Sequence, residues 1–239
     1  MMVDYTADGK CGQYTDVSSV QSHHAFEPDD TLVSLDEIRA AHNRLVGVAL
    51  RTPLLPFRDA AYVKPESLQP TGSFKIRGAY NTLAQLPDEA KRNGVVAHSS
   101  GNHAQAVARA ARLLGMRAVV VMPNDAPRVK VDGVRADGAE IVFVGPHNEE
   151  RVARAHEIAD EQGLELVSSA NDPRVIAGQG TIGLEIAEQL VELGITGAPV
   201  VLVPVGMGGL ASGVAVAIKS LRPEAGVYAV EPELAADTS

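Results

Sequence analysis

Lys75 lies in a short polar segment, residues 71–78 (TGSFKIRG), that leads into a predicted helix. Ser73 or Thr71 is suited to cap that helix, which would put Lys75 in its first turn. An amine there lies near the positive end of the helix dipole, and burial would disfavour its charged form further. Both effects favour the neutral, nucleophilic amine that Schiff-base chemistry requires. A surface lysine on an amphipathic helix is the simpler interpretation, and this segment on its own favours it.

A second polar segment, residues 98–105 (HSSGNHAQ), joins a predicted strand at Val95 to a predicted helix that begins near His103. Its hydroxyls, its amide and the free N–H groups of a helix N-terminus are suited to receive a carboxylate. The alternative is an ordinary polar loop between a strand and a helix, which every α/β protein contains.

Two further segments are rich in glycine. Residues 204–210 (PVGMGGL) follow an apolar run and open a predicted helix, the arrangement in which backbone N–H groups hold a phosphate. No Gly-Lys-Ser/Thr follows, so this is not a nucleoside-triphosphate loop. Residues 178–183 (GQGTIG) match the spacing of the dinucleotide fingerprint. We reject that match, because no clear strand precedes it and no acidic residue stands about 20 positions later.

The elements that must position these segments alternate between β-branched runs and helical stretches. A capping box at Ser34 and Glu37 begins the ordered part. Almost wholly apolar strands that alternate with helices indicate an α/β fold with parallel sheets covered by helices, in one sheet or two. The predicted strands are 95–97, 118–122, 141–144, 164–167, 200–205 and 227–230, and the predicted helices are 73–86, 103–114, 127–136, 149–162, 181–193 and 210–220.

Composition excludes several classes of partner. The chain of 239 residues has 21 Lys plus Arg against 30 Asp plus Glu, a net charge of −9, which argues against nucleic acid or an anionic membrane surface. No apolar run approaches the ~20 residues of a membrane span. Cys11 is the only cysteine, so no intrachain disulfide can form and a cytoplasmic location is expected. Residues 1–34 lack a signal pattern and are expected to form a flexible tail.

Taken together, these segments resemble in their residues and in their order those of the fold-type II pyridoxal-phosphate (PLP) enzymes, most of all the serine/threonine dehydratases and serine racemases. The resemblance covers roughly residues 35–237. Its shared segments are 51–54 (RTPL), 72–79 (GSFKIRGA), 99–105 (SSGNHAQ), 172–181 (DPRVIAGQGT) and the glycine loop from Gly206.

The resemblance implies a role for each site residue. Lys75 would hold PLP as a Schiff base, Phe74 would pack beside it, and Asn102 would hydrogen-bond the oxygen of the ring hydroxyl. The phosphate would be held by the backbone N–H groups of Gly206, Met207, Gly208 and Gly209. The carboxylate of a small β-hydroxy amino acid would be received by the loop that contains Ser99, Ser100, Gly101 and His103.

The resemblance also implies a two-domain architecture like that of the tryptophan synthase β subunit. Residues 94–167 would form a small mobile domain, and residues 35–93 and 168–239 would form the large PLP-binding domain. Closure of the small domain over the substrate would exclude water from the cleft. A homodimer is compatible with this family.

The chain departs from the family pattern at two places. In the family, the phosphate loop usually has four glycines, and in this chain Met207 takes the place of the second. If that position needs a positive φ, a methionine there costs on the order of 1 kcal/mol. The chain also stops at Ser239, whereas family members continue to the residue that faces the pyridine nitrogen, so the PLP-binding domain is expected to be incomplete at its C-terminus.

The implied reaction is β-elimination, in which L-threonine or L-serine becomes a 2-oxo acid and ammonia and Lys75 removes the Cα proton. Serine racemase is the nearest alternative, because racemases of this family use a serine where Ser100 stands as a second base. The metal-activated 3-hydroxyaspartate dehydratases and a non-catalytic PLP-binding module are further alternatives.

The C-terminal end adds a feature of the racemase branch. Glu231, the carbonyl of Ala235 and Asp237 match the spacing of a divalent-cation site there, which would suit Mg²⁺ or Ca²⁺. An acidic strand end exposed to solvent explains the same residues.

Overall fold

The structure, a computed structural model, describes residues 2–4, 33–58 and 61–233. Eight α-helices and nine β-strands lie in these ranges. The helices are α1 (Leu35–Arg44), α2 (Lys75–Ala84), α3 (Asp88–Asn93), α4 (Asn102–Leu113), α5 (Arg128–Ala136), α6 (Asn148–Gln162), α7 (Pro173–Glu192) and α8 (Gly209–Leu221). The strands are β1 (Met2–Asp4), β2 (Leu55–Arg58), β3 (Ala61–Val63), β4 (Val95–His98), β5 (Ala118–Pro123), β6 (Glu140–Val144), β7 (Glu165–Leu166), β8 (Val200–Pro204) and β9 (Gly226–Val230).

The strands form two sheets. The four-stranded sheet has the order β6-β5-β4-β7, and its strands are all parallel. The five-stranded sheet has the order β2-β3-β1-β8-β9. In it β8 and β9 are parallel, whereas β1 is antiparallel to both β3 and β8, and β2 is antiparallel to β3. The predicted α/β fold with parallel strands is therefore confirmed, and the five-stranded sheet adds an antiparallel part that the prediction lacked.

The antiparallel part gives no periodic signal in the sequence. All four residues of β2 are exposed, so the alternation of buried and exposed positions that reveals a strand is missing. Residues 2–4, which fall within the tail predicted for 1–34, form β1 in the middle of this sheet. Residues 5–32 lie outside the described ranges.

The four-stranded sheet is covered on both faces, which explains its apolar sequence. Side chains of α4 and α5 pack on Val120 and Met122, whereas α6 packs on Val119 and Val121. Every residue of β5 is buried as a result. This sheet lies within residues 94–167 and the five-stranded sheet lies outside them. The division into a small and a large domain stays a prediction, and so does the motion of the small domain.

Glycines bring α2, α7 and α8 into close contact. A Cβ on Gly178 would lie 2.6 Å from the carbonyl oxygen of Arg77, and a Cβ on Gly213 would lie 2.6 Å from the backbone nitrogen of Gly180. Both distances are too short for any residue larger than glycine. The glycines of segment 178–183 are therefore helix-packing residues inside α7, which agrees with rejecting a dinucleotide loop. Because the helix begins at Pro173, the predicted start at 181 is wrong by eight residues.

A buried network of charges anchors the first turn of α2. Arg77 donates to Glu185 Oε1 at 2.6 Å and to Glu66 Oε2 at 2.8 Å, and Lys64 donates to Glu185 Oε2 at 2.6 Å. Arg77 also donates to the carbonyl oxygen of Leu50. Since Arg77 lies two residues beyond Lys75, these bonds fix the position of the helix start that carries the lysine.

Replacing Glu185 with leucine should destabilise the fold strongly, because it leaves Lys64 and part of Arg77 buried without a counter-charge. We expect a loss of about 3 kcal/mol or more in the free energy of unfolding, measured by urea denaturation. Arg39→Ala is the matched control, since it breaks the exposed pair with Asp36 and should cost at most ~0.5 kcal/mol. Similar losses in both variants would show that the buried network does not stabilise the fold.

Candidate active site

Lys75 lies in the first turn of α2, as the sequence predicts, but the helix begins at Lys75 itself rather than at residue 73. Phe74 is the N-cap residue, and no side chain caps the helix. The Thr71 hydroxyl instead donates to the carbonyl oxygen of Ser73, and the buried Ser73 hydroxyl has no partner among the described residues. The predicted cap by Ser73 or Thr71 is therefore wrong. The Thr71 hydroxyl is engaged by a carbonyl oxygen and the Ser73 hydroxyl reaches no N–H group of the helix, so neither of them satisfies a donor at the start of α2.

The Lys75 amine lies in a half-buried environment. Its Nζ donates to the carbonyl oxygen of Ser169 at 2.9 Å and lies 5.3 Å from the centre of the Phe74 ring. Burial lowers the pKa of Lys75 below the usual lysine value, because the charged form loses hydration. The amine is thus shifted toward the neutral form that attacks a carbonyl group or accepts a proton.

Lys75 and the glycine loop line the same cavity. This cavity has a volume of about 280 Å³. Its lining consists of Phe74, Lys75, Ala170 and residues 204–211. The structure therefore brings together two segments that are separated by about 130 residues in the sequence.

The glycine loop joins β8 to α8 with its N–H groups unpaired. Val205 N–H donates to Val230 O, and the next backbone bond is from Ser212 N–H to Gly208 O. Between these two, the N–H groups of 206–211 have no acceptor among the described residues, as expected at a helix start. Such a row of donors at the positive end of a helix binds an anion.

Met207 does not occupy the position of this loop that needs glycine. The positive φ of the loop, 84°, belongs to Gly208, the residue after Met207. The Met207 side chain is 66% exposed, and the Ser169 hydroxyl donates to its sulfur at 3.4 Å. The backbone of residue 207 therefore remains able to donate, and its side chain lies against the segment that holds Lys75.

The loop of Ser99, Ser100 and Gly101 lies at the carboxyl edge of the four-stranded sheet. Ser99 N–H donates to Val121 O at 3.1 Å and so extends the hydrogen bonding between β4 and β5 by one residue. Gly101 N–H donates to the Ser99 hydroxyl at 3.1 Å. Gly101 is the N-cap residue of α4, and the Ser100 side chain is exposed. These residues do not line the 280 Å³ cavity. Their predicted role as a carboxylate receptor stays a prediction.

His103 points into the protein rather than toward solvent. Its Nε2 lies 3.2 Å from the carbonyl oxygen of Val167, and the ring is buried. Burial lowers the pKa of His103 to about 4, although the bond to Val167 opposes the shift; the nearby charge of Lys75 adds to it. The ring is therefore neutral near pH 7, and His103 contributes no positive charge to the loop.

The segment 167–170 contacts the starts of α2, α4 and α8, and the sequence interpretation missed it. Val167 O binds His103 in α4, Ser169 O binds Lys75 in α2, and a Cβ on Gly209 of α8 would lie 2.9 Å from Ala170 O. Two serines after a strand were the available signal. The contacts themselves use backbone carbonyls, which any residue type carries.

Asn102 is exposed at the start of α4 and is held by a residue that the sequence interpretation also missed. Lys130 Nζ, on α5, donates to Asn102 Oδ1 at 2.5 Å and to Gln105 Oε1 at 3.0 Å. Lys130 therefore fixes the orientation of the Asn102 amide.

The predicted cation site falls largely outside the described residues. Ala235 and Asp237 lie beyond residue 233, and Glu231 follows β9. Within the described ranges, no group of three or more His, Cys, Asp or Glu side chains is arranged to hold a metal.

Among the helices of the same ranges, none is both long and apolar enough to cross a membrane.

Comparison with known proteins identifies the family. The pyridoxal-phosphate dependent enzyme family matches residues 47–239. The chain belongs to this family. The threonine deaminase of T.th. has the same fold, with a TM-score of 0.78 at 44% identity over 84% of this chain and 65% of that one. Maize serine racemase also has a TM-score of 0.78, at 37% identity over 85% of this chain and 62% of that one. The fold is that of the fold-type II PLP enzymes.

Similar sequences have related names. L-threonine ammonia-lyase of Thermotoga maritima is 46% identical over 209 residues, which cover 84% of this chain and 51% of that protein. L-threo-3-hydroxyaspartate ammonia-lyase of Pseudomonas sp is 43% identical over 213 residues, 86% of this chain and 65% of that protein. The chain thus spans about half to two thirds of the length of these relatives.

The site fits PLP, the cofactor of this family. Burial lowers the pKa of Lys75, so its amine can react with an aldehyde. Lys75 shares its cavity with a row of unpaired backbone N–H groups, which are suited to bind a phosphate. At Gly209 the backbones of α8 and Ala170 approach so closely that a Cβ would fill the space. The amine and the anion-binding loop therefore lie together, as a phosphorylated aldehyde requires.

The His103 ring should stay neutral when the pH falls from 8 to 5, which NMR of its ring carbons can measure. In the urea-unfolded chain the same ring should titrate near its ordinary pKa of 6.5. Because the unfolded state binds the proton first, His103 should lower the stability of the fold as the pH falls from about 6.5 to about 4. A folded-state midpoint near 6.5 would contradict its burial against Val167.

Proposed function

We propose that this protein catalyses PLP-dependent β-elimination, in which L-threonine or L-serine is converted to a 2-oxo acid and ammonia. The observation that carries the proposal is the cavity that Lys75 shares with the glycine loop. It combines an amine of lowered pKa with unpaired backbone donors at a helix start. Relatives named threonine ammonia-lyase and threonine deaminase support this class of substrate.

Lys75 acts as the base in this reaction. When bound, PLP supplies an electron-withdrawing ring that stabilises negative charge at Cα of the substrate. The neutral Lys75 amine removes the proton from Cα and holds it at Nζ. The carbonyl oxygen of Ser169, which accepts a hydrogen bond from Nζ, stabilises the ammonium group that results.

The bonds that change define the products. The Cα–H and Cβ–O bonds break, a Cα=Cβ bond forms, and the hydroxyl group leaves with a proton as water. The released amino-alkenoic acid takes up water and yields the 2-oxo acid and ammonia.

In this proposal the N–H groups of residues 206–209 hold the cofactor phosphate. The loop of Ser99, Ser100 and Gly101, with the start of α4, receives the substrate carboxylate.

Lys75→Ala should abolish both covalent attachment of PLP and formation of 2-oxo acid, because it removes the base and the anchoring amine together. Attachment is measured by borohydride reduction and peptide mass mapping, and product by a dehydrogenase-coupled assay. Lys91→Ala, on α3 outside the site, should leave both unchanged. Attachment at another lysine would overturn the assignment. Attachment at Lys75 without turnover of threonine, serine or 3-hydroxyaspartate would favour the non-catalytic alternative.

Serine racemisation is the second candidate. The exposed Ser100 side chain in the loop at the start of α4, together with the likeness to maize serine racemase, favours it. A base on the opposite face of Cα from Lys75 would return the proton with inverted configuration. A 3-hydroxyaspartate substrate is a further variant of the elimination, and the Pseudomonas relative supports it.

Ser100→Ala separates the two reactions through the ratio of their products. If the protein is a racemase, the ratio of D-serine to pyruvate formed from L-serine should fall at least roughly tenfold, because only racemisation needs the second base. If it is a dehydratase, the wild-type protein should form mainly pyruvate and the ratio should change little. Chiral chromatography of D-serine and an enzymatic assay for pyruvate measure both products.

Three accessory properties belong to the proposal. A cytoplasmic location is supported by the single cysteine, and a homodimer by the family resemblance. A Mg²⁺ or Ca²⁺ ion at Glu231, Ala235 and Asp237 is supported by spacing alone. Activity that survives exhaustive dialysis against EDTA would remove the cation from the proposal.

A further inference from the structure

Lys130 holds the oxygen end of the Asn102 amide. Its Nζ donates to Asn102 Oδ1 at 2.5 Å and to Gln105 Oε1 at 3.0 Å. Asn102 and Gln105 lie three residues apart in the first turns of α4, so their side chains share one face of the helix. One ammonium group therefore joins α5 to two amides of α4.

Packing between α4 and α5 keeps this arrangement in place. The Gln105 amide nitrogen lies so close to Gly133 of α5 that any Cβ there would collide with it. Gln105 is thus confined against α5 with its oxygen toward Lys130, which is half-buried in the same helix. The ammonium group is held at two acceptors, and the geometry is more restricted than in a single exposed contact.

The contact decides which end of Asn102 is free. With Oδ1 accepting from a cation, the end that remains is the NH₂ group, which has no acceptor among the described residues. An amide fixed in this way is a hydrogen-bond donor and binds an anionic oxygen in preference to a hydroxyl. The nearby charge of Lys130 also polarises the amide and strengthens its donor.

Asn102 lies at the same end of the molecule as Lys75. His103, the next residue, binds Val167 O, and Lys75 binds Ser169 O two residues further along the same segment. The starts of α2 and α4 therefore converge on residues 167–169. Asn102, at the start of α4, is therefore the neighbour in sequence of a residue that binds the same segment as the Lys75 amine.

We propose that Lys130 is a positioning residue that orients Asn102 as a donor to the ionised ring oxygen of PLP. The proposal rests on the role of Asn102 at that oxygen, which is part of the proposed function. Lys130 does not contact the cofactor in this account, and its whole effect passes through the Asn102 amide.

The experiment measures PLP binding to the full chain without using turnover. Lys130→Met removes the charge and keeps much of the side-chain length, and it should weaken PLP binding roughly tenfold by spectroscopic titration, as expected for losing a charge-assisted contact. It should also raise the near-ultraviolet band of bound PLP relative to the visible band, because the ring oxygen becomes less ionised. Lys130→Arg should restore part of both. Arg128→Met, which removes a 94% exposed cation from the same turn of α5, should change neither.

The double variant tests whether Lys130 acts through Asn102. In an Asn102→Ala background, Lys130→Met should have no further effect on affinity or on the band ratio. An equal effect in both backgrounds would overturn the positioning role, as would a Lys130→Met variant that binds PLP like the wild type while Asn102→Ala does not. If Asn102→Ala itself leaves affinity and spectrum unchanged, the proposed role of Asn102 is wrong, and the role of Lys130 falls with it.

A measurement on the apo chain separates positioning from loss of fold. The side-chain amide resonances of Asn102 should shift in Lys130→Met and stay close to their wild-type positions in Arg128→Met. Thermal unfolding of both variants should remain close to that of the wild type. An unchanged Asn102 resonance in Lys130→Met would contradict the contact on which the proposal depends.

Discussion

The backbone carbonyls of residues 167–170 are the contact on which the site depends. Three helices from different parts of the chain begin beside this short segment: α2 through Lys75, α4 through His103 and α8 through Gly209. Each start carries unpaired N–H groups and a partial positive charge. Carbonyl oxygens of the segment contact the side chains of Lys75 and His103, and Ala170 packs against the backbone at the start of α8. A cofactor that presents an aldehyde and a phosphate thereby meets an amine and a row of donors in one place.

A second constraint lies behind the first. The glycine contacts of α7 with α2 and α8 fix the spacing of two of these helices, and the buried charges of Arg77 and Glu185 fix the rotation of α2. Both constraints involve groups with no freedom to adjust, since one is backbone against backbone and the other is an ion pair that cannot be solvated. The position of Lys75 is thus determined by residues that never approach the cofactor cavity.

The predictable part of the fold is the part whose burial leaves a pattern in the sequence. Strands such as β5, covered on both faces, appear in the sequence as continuous apolar runs, whereas the exposed strand β2 gives no such signal. The predicted start of α7 is wrong because Gly178 and Gly180 are typical of a loop, and only tertiary packing explains glycine inside that helix.

In the candidate site, Lys75 and the glycine loop were predictable because their residues and their order with the other segments resemble the PLP enzymes, whereas the residue type of Lys75 alone favours a surface lysine. The partners that orient them were not. Ser169 acts through a carbonyl oxygen common to all residues, and Lys130 lies 28 positions from Asn102 with no pattern to connect the two.

The hydrogen bond from Lys75 to Ser169 has a consequence for the direction of attack. Nζ donates one N–H to the carbonyl oxygen, so the neutral amine keeps its lone pair free while one of its bonds is held in place. The carbonyl of residue 169 thereby restricts how the amine can turn. A change in the path of the 167–170 segment would redirect the lone pair even though Lys75 itself is unchanged.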